Sequence, residues 1–296
     1  MPDRDRYIPG VPCWIDTSQP DPEAAAAFYA GLFGWELEDV MPAGSKERYF
    51  MARLRGSDVA GIGGLAEGAP PVAAWNTYVW VESAEEIAGK VWAAGGQVIM
   101  EPFDVMEAGR MAVFADSEGA AFCVWEPRRH RGAQTVNEPG SLNFNNLNSH
   151  DPGAARSFYG AVFGWGTMPM GGGAEAWTLP GYGDHLELIN PGTRERMAGV
   201  GAPAGFEDVV ATLTPLPGDH AEVPAHWSVT FATDDADATA SRASELGGEV
   251  VAAPFDAPWV RMAVIADPGG ATFIASQFVP ENRDVRAPSS ASVNAA

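Results

Sequence analysis

The chain has 296 residues, a formal net charge of −21 at pH 7 and a hydrophobic fraction of 46 %. That fraction supports a folded core and excludes wholesale disorder, and the length suits about two domains. The charge disfavours phosphate backbones and anionic lipid, so neither nucleic acid nor a membrane surface is expected as a partner.

From the N-terminus, residues 1–10 carry charge and no apolar run, and no signal peptide is expected there. No stretch is long and apolar enough to span a bilayer. Residues 13–17 read as a strand. Cys13 and the second cysteine, Cys123, give neither a disulfide framework nor a zinc spacing, which points to reduced thiols and a cytoplasmic protein. Asp21 and Pro22 then open a helix as N-cap and first-turn residue. Phe28, Tyr29 and Phe33 recur along it at helical spacing, and Gly34 supplies a left-handed stop before Trp35. Residues 49–55, 59–64 and 75–81 read as strands. Ser83 and Glu86 form a capping box for a helix that stops at Gly95-Gly96. Strands are expected over 97–101, 110–115 and 121–125.

The same order then returns. Asp151-Pro152, Phe158-Tyr159 and Phe163-Gly164-Trp165 repeat the first helix and its end at an offset of 130 residues. The strand at 227–231 repeats that at 75 with an offset of 152. A helix stopping at Gly247-Gly248, the run Arg261-Met262 and the turn Asp267-Pro268-Gly269-Gly270 complete the second copy. The growth in offset places 22 additional residues between Gly164 and Trp227, where an elaborated hairpin is expected. Each copy divides again into two strand–helix–strand–strand units. Four such units give an α+β class, with helices covering one face of each sheet. The domains are 8–127 and 142–280. A polar, basic linker at 128–141 is expected to be solvated, and a tail at 281–296 to be disordered.

These features together resemble the vicinal oxygen chelate superfamily, which holds glyoxalases, extradiol dioxygenases and bleomycin-resistance proteins. Trp14-Ile15-Asp16, Trp75-Asn76-Thr77-Tyr78, Gly109-Arg110-Met111 and Arg129-His130-Arg131-Gly132-Ala133 resemble its tandem-domain actinobacterial branch, labelled hydroxylase or culture-filtrate antigen. The resemblance implies two tandem glyoxalase-like domains, each of two βαβββ units curled into a half-open barrel around a cleft. It also implies where metal ligands would stand on the strands. Those positions fall at Trp14, Asn76 and Cys123 in the first domain and at Phe144, Ser228 and Ile274 in the second. The remaining slots fall near Gly61–Gly64 and Ala198–Gly201. Trp, Phe, Ile and Gly cannot ligate an ion, and Asn or Ser bind weakly alone. No metal and no cofactor is therefore expected.

Alternation along the strands from those anchors lists what would line the clefts instead. The first cleft is expected to present Trp14, Tyr78, Trp80, Cys123 and Trp125 around Asp16 and Asn76. Aromatic walls with a few polar handles suit a flat, partly apolar ligand. The second is expected to present Phe144, Asn146, Ser228 and Thr230, with His226 at the edge. Asp16 and His226 are the candidate acid–base residues. His130, His150 and His220 read as surface residues. His185 and Glu187, at strand spacing within the insertion, would with His226 make a relocated metal site. Arg110 and Arg261 are repeat-equivalent and either pin an adjacent Asp turn or meet an anionic ligand.

The function these readings support is binding of a flat aromatic natural product, such as a polyketide antibiotic, by a monomer or homodimer. A metal-independent enzyme of secondary metabolism is the alternative. A metal-dependent lyase or dioxygenase with relocated ligands comes third.

Overall fold

The computed structural model describes residues 7–285 apart from 67, 69, 70, 172, 217 and 219–221. His220 and the tail from 286 onward lie outside the described residues. The first repeat runs β1 (Pro12–Gln19), α1 (Pro22–Phe33), β2 (Glu36–Asp39), β3 (Tyr49–Leu54) and β4 (Ser57–Gly64). It continues with β5 (Ala74–Trp80), α2 (Ala84–Ala93), β6 (Gln97–Val105), β7 (Gly109–Ala115) and β8 (Ala121–Pro127). The second repeat runs β9 (Leu142–Ser149), α3 (Pro152–Phe163), β10 (Gly166–Gly171) and β11 (Ala174–Thr178). Two helices, α4 (Tyr182–Ile189) and α5 (Thr193–Gly199), precede β12 (Val209–Pro215). It ends with β13 (His226–Ala232), α6 (Ala236–Glu245), β14 (Glu249–Ala257), β15 (Val260–Ala266) and β16 (Thr272–Phe278). Residues Pro280–Asp284, which run from the end of the second domain into the span from 281 expected to be disordered, form a 3-10 turn.

The strands make two open eight-stranded sheets of identical order, β2-β3-β4-β1-β5-β8-β7-β6 and β10-β11-β12-β9-β13-β16-β15-β14. The helix ends follow their local chemistry. Asp21 and Asp151 accept from the backbone N–H of Ala24 and Ala154, and Gly34 and Gly164 close α1 and α3 at φ 70° and 74°. Ser83 caps α2 by accepting from the N–H of Glu86.

The chain packs as two compact units that cut across the two repeats. One comprises residues 1–13, 78–131 and 146–227; the other comprises 14–77, 132–145 and 228–296. In the second of these, α1 packs on β4 of its own repeat and beside α6 of the other. Tyr29 stacks on Trp35 with ring centroids 5.4 Å apart and meets Trp75 edge-on at 5.3 Å. Phe28, Phe231, Ile265 and Phe273 belong to the same buried cluster. In the first unit, Tyr159 of α3 stacks on Trp165 at 5.5 Å and packs with Phe114, Phe122 and Trp227. The repeated Phe-Tyr and Phe-Gly-Trp signatures are thus core-building devices.

The insertion differs from the expected hairpin: α4 and α5 occupy it, followed by a 3-10 turn at Phe206–Asp208. The linker is not free in solvent either. Arg128 and His130 donate their backbone N–H groups to Ala108 O, Arg128 pairs with Asp104 at 2.8 Å, and Arg129 pairs with Glu107 at 2.5 Å. Two of the linker's arginines thus find carboxylates on the β6–β7 hairpin. Further on, Gln134 and Asp58 exchange two hydrogen bonds of 2.7 and 3.0 Å.

Candidate functional site

On β1, Ile15 faces α1 and joins the core, so alternation turns Trp14, Asp16 and Ser18 to the other face. On β5, Trp75 belongs to the core in the same way, which turns Asn76 to that other face too. These residues form one hydrogen-bonded set. Asn76 Nδ2 donates to Asp16 Oδ1 at 2.8 Å and to Ser18 Oγ at 3.0 Å. The Tyr49 hydroxyl donates to Asp16 Oδ2 at 3.1 Å, and Trp14 Nε1 donates to the Tyr49 oxygen at 3.3 Å. Asp16 is 7 % exposed, while Ser18, Tyr49 and Asn76 are half-buried. Both carboxylate oxygens are held by donors, an arrangement that favours a fixed acceptor.

Tyr49 was not among the residues expected here. It reaches Asp16 because β3 pairs with β4, setting Tyr49 opposite Gly63. A Cβ at Gly61 would come within 2.1 Å of the Tyr49 hydroxyl, and one at Gly63 within 3.0 Å of its ring. The two glycines clear the floor on which the phenol lies. The signal lay in the Gly61-Ile62-Gly63 alternation, which puts the absent side chains on one face of the strand.

The other compact unit holds a second aromatic group. Tyr78 pairs with Cys123 and Trp80 with Trp125 along parallel β5 and β8. Tyr78 and Trp125 meet edge-on at 6.4 Å, and Trp125 Nε1 donates to His130 O at 2.8 Å. Tyr78, Cys123 and Trp125 are buried and Trp80 half-buried. Gly109 is required beneath this indole, since a Cβ there would lie 2.4 Å from the Trp125 ring.

In the second repeat the equivalents are smaller. Thr212 donates to Asn146 Oδ1 at 2.6 Å, in the register that Gly61 holds against Asp16. Phe144 and Ser228 are half-buried and Thr230 is buried. The His226 ring sits between Pro224 O, 2.8 Å from Nδ1, and Asn148 Nδ2, 3.3 Å from Nε2. A carbonyl can only accept, so Nδ1 donates to Pro224 O and the ring is held in place.

The positions where the resemblance implies metal ligands do not fit an ion. Trp14, Phe144 and Ile274 offer no donor, and Asn76 is committed to Asp16 and Ser18. The slot expected near Ala198–Gly201 is displaced, because α5 runs to Gly199 and the strand register places Thr212 there instead. His185 and Glu187 lie on helix α4, where neighbours two apart diverge, and Glu187 accepts from the N–H groups of Gly192 and Arg194. The backbone donors at Gly192 and Arg194 hold its carboxyl below the usual range. Among the described residues no three His, Cys, Asp or Glu side chains converge. Arg110 and Arg261 brace helix starts rather than the Asp turns: Arg110 binds Glu85 and Asp104, and Arg261 binds Asp237 and Asp256.

Comparison with known proteins agrees with this architecture. Residues 141–274 match the family described as Glyoxalase/Bleomycin resistance protein/Dioxygenase superfamily, and residues 14–125 match a glyoxalase-like domain. The chain is 40 % identical over 286 residues to "Putative glyoxylase CFP32" of Mycobacterium tuberculosis, covering 95 % of this chain and all of that protein. It is 36 % identical over 282 residues to the anthracycline biosynthesis protein DauV of Streptomyces sp., covering 90 % and 93 %. The Mn(II)-bound glyoxalase of Novosphingobium aromaticivorans superposes with a TM-score of 0.58 at 16 % identity, over 91 % of this chain and 83 % of that one, a likeness of fold. No helix among the described residues is long and apolar enough to cross a membrane.

Proposed function

Because this chain belongs to the glyoxalase/bleomycin resistance protein/dioxygenase superfamily, we propose that it binds a flat aromatic natural product of the polyketide kind, without a metal ion, to sequester or carry it. One observation carries this reading: Asp16 stands among the Trp14 and Tyr49 rings with Asn76 and Ser18 beside it, where an ion would need donors. Phenol and quinone groups of such a guest exchange hydrogen bonds with a carboxylate, an amide and a hydroxyl, while its rings lie on the aromatic side chains. The names of the relatives from anthracycline biosynthesis support the choice of guest. Two buried free thiols suit a reducing cytoplasm.

Equilibrium dialysis of the purified protein against an anthracycline, with elemental analysis of the same sample, tests it. Saturable uptake at substoichiometric Fe, Mn, Ni and Zn supports the reading; a near-stoichiometric metal overturns it.

A second reading is favoured by the Tyr49–Asp16 bond, which sets a phenol and a carboxylate in series for proton transfer. Under it, Asp16→Asn abolishes turnover of a related substrate and leaves its binding intact.

A further inference from the structure

On β13, β15 and β16, Phe231, Ile265 and Phe273 face the helices in the core. Alternation sets Thr230, Met262, Ile274, Ser276 and Phe278 on the opposite face. That set contains hydroxyl and apolar groups and no carboxylate. At its end, the Trp259 ring lies parallel to Phe278, 3° between planes and 6.3 Å between centroids. The Arg283 guanidinium sits 5.3 Å from the centroid of the same indole. Phe278 is 55 % exposed, a large apolar surface left open beside a cation.

The surroundings hold this trio in place. Trp259 has φ +70°, a conformation that bulky side chains rarely keep without support. Val279 donates to Trp259 O at 2.7 Å and Trp259 donates to Asn282 O at 3.3 Å. Asn282 in turn donates to Asp256 Oδ1 and Val260 O, each at 3.0 Å. The first repeat does something different at the same place. There Trp125 stands where Ser276 stands here, above Gly109 where Val260 stands here. The second repeat has lost the indole from the strand and presents one from the β14–β15 hairpin instead.

Charge adds a second, independent indication. Arg261 engages two carboxylates, Asp237 and Asp256. Among the described residues Arg283 makes no ion pair, in a chain of net charge −21. A cation left over an aromatic ring suits a ligand that carries its own negative charge.

We propose that Trp259, Phe278 and Arg283 form a binding site for a planar aromatic anion, whose ring stacks on Phe278 and whose carboxylate, sulfonate or phenolate meets the guanidinium. This site shares no residue with the Asp16 set and stands or falls separately from it.

Two probes differing mainly in the anionic group test it: 8-anilinonaphthalene-1-sulfonate and the uncharged N-phenyl-1-naphthylamine, each followed by fluorescence titration of the full chain. Arg283→Ala is expected to weaken the sulfonate about tenfold and leave the neutral amine within about twofold. Trp259→Gly, which also suits the φ, is expected to weaken both. The proposal is overturned if the wild type binds neither probe, or if Arg283→Ala and Trp259→Gly leave sulfonate affinity unchanged in folded protein.

Discussion

The Tyr29 hydroxyl donates to Asp267 Oδ2 at 2.9 Å across 238 residues of sequence. Trp75 Nε1 donates back to the Tyr29 oxygen at 3.1 Å, and Gln19 Nε2 reaches the same carboxylate oxygen at 2.6 Å. Asp267 Oδ1 meanwhile accepts the N–H groups of Gly269 and Ala271, closing the turn before β16. The other compact unit repeats the motif with Trp227, Tyr159 and Asp116, at 2.8 and 3.1 Å. In each case the helix of one repeat is fastened to the Asp turn of the other, so both repeats contribute to both cores.

Burial pushes the Asp267 and Asp116 carboxyls above the ordinary range, against the donors that lower them. A raised folded-state value means that the folded chain holds the proton more tightly than the unfolded one. The stabilisation is therefore full below pH about 4 and is lost as pH rises through the elevated value. Asp267→Asn removes this slope, so in urea melts the stability of wild type relative to the variant falls from pH 4 to 7. A difference that grows with pH would contradict the assignment. Asp267→Ala, which also strips the turn of its acceptor, is expected to cost about 2–4 kcal/mol.

The floor under Tyr49 gives a sharper test of the candidate site. Gly61→Ala places a methyl 2.1 Å from the Tyr49 hydroxyl and 3.0 Å from Asp16 Cβ, so the phenol must leave Asp16. Aromatic ligand binding should fall by about tenfold or more for the loss of the placed ring and hydrogen bond. Gly64→Ala, where the added methyl meets nothing within 4 Å, serves as the silent control. Equal affinity for both variants would remove Tyr49 from the site.

Cys13 and Cys123 are both buried, and desolvation drives the Cys13 thiol well above its ordinary value. Thiolate is the reactive form, so neither residue should be alkylated by iodoacetamide in the native protein, and both should react in guanidinium. Native labelling at Cys123 would show that β8 opens to solvent.

Arg110 and Arg261 each tie a helix start to a neighbouring strand through two carboxylates. Alanine at either position should lower the thermal midpoint in low salt, with the loss shrinking as salt screens the pairs. Affinity for an anthracycline should not change. A selective loss of binding would instead make the arginine a ligand contact.

Local chemistry made much of this fold readable. The Asp-Pro starts and Gly34 and Gly164 ends specify α1 and α3 within the sequence itself, and strand alternation from Ile15 brought Asp16 to the same face as Asn76. What needed long-range pairing was not readable. Tyr49 joins Asp16 through the register of β3 on β4, and the Gly61-Ile62-Gly63 alternation marks a cleared face without naming the ring that fills it. The insertion reads as a hairpin because α4 and α5 follow Gly181 and Gly192 without a side-chain cap. The basic linker docks because its carboxylate partners, Asp104 and Glu107, lie on a hairpin more than twenty residues upstream.

Tryptophan fluorescence during titration with an anthracycline reads out metal-independent binding at the Trp14 and Asp16 site. Saturable quenching is expected in the wild type, surviving chelator treatment, weakening in Trp14→Phe and weakening further in Asp16→Asn. Quenching that disappears with the chelator, or that is identical in all three proteins, would contradict it.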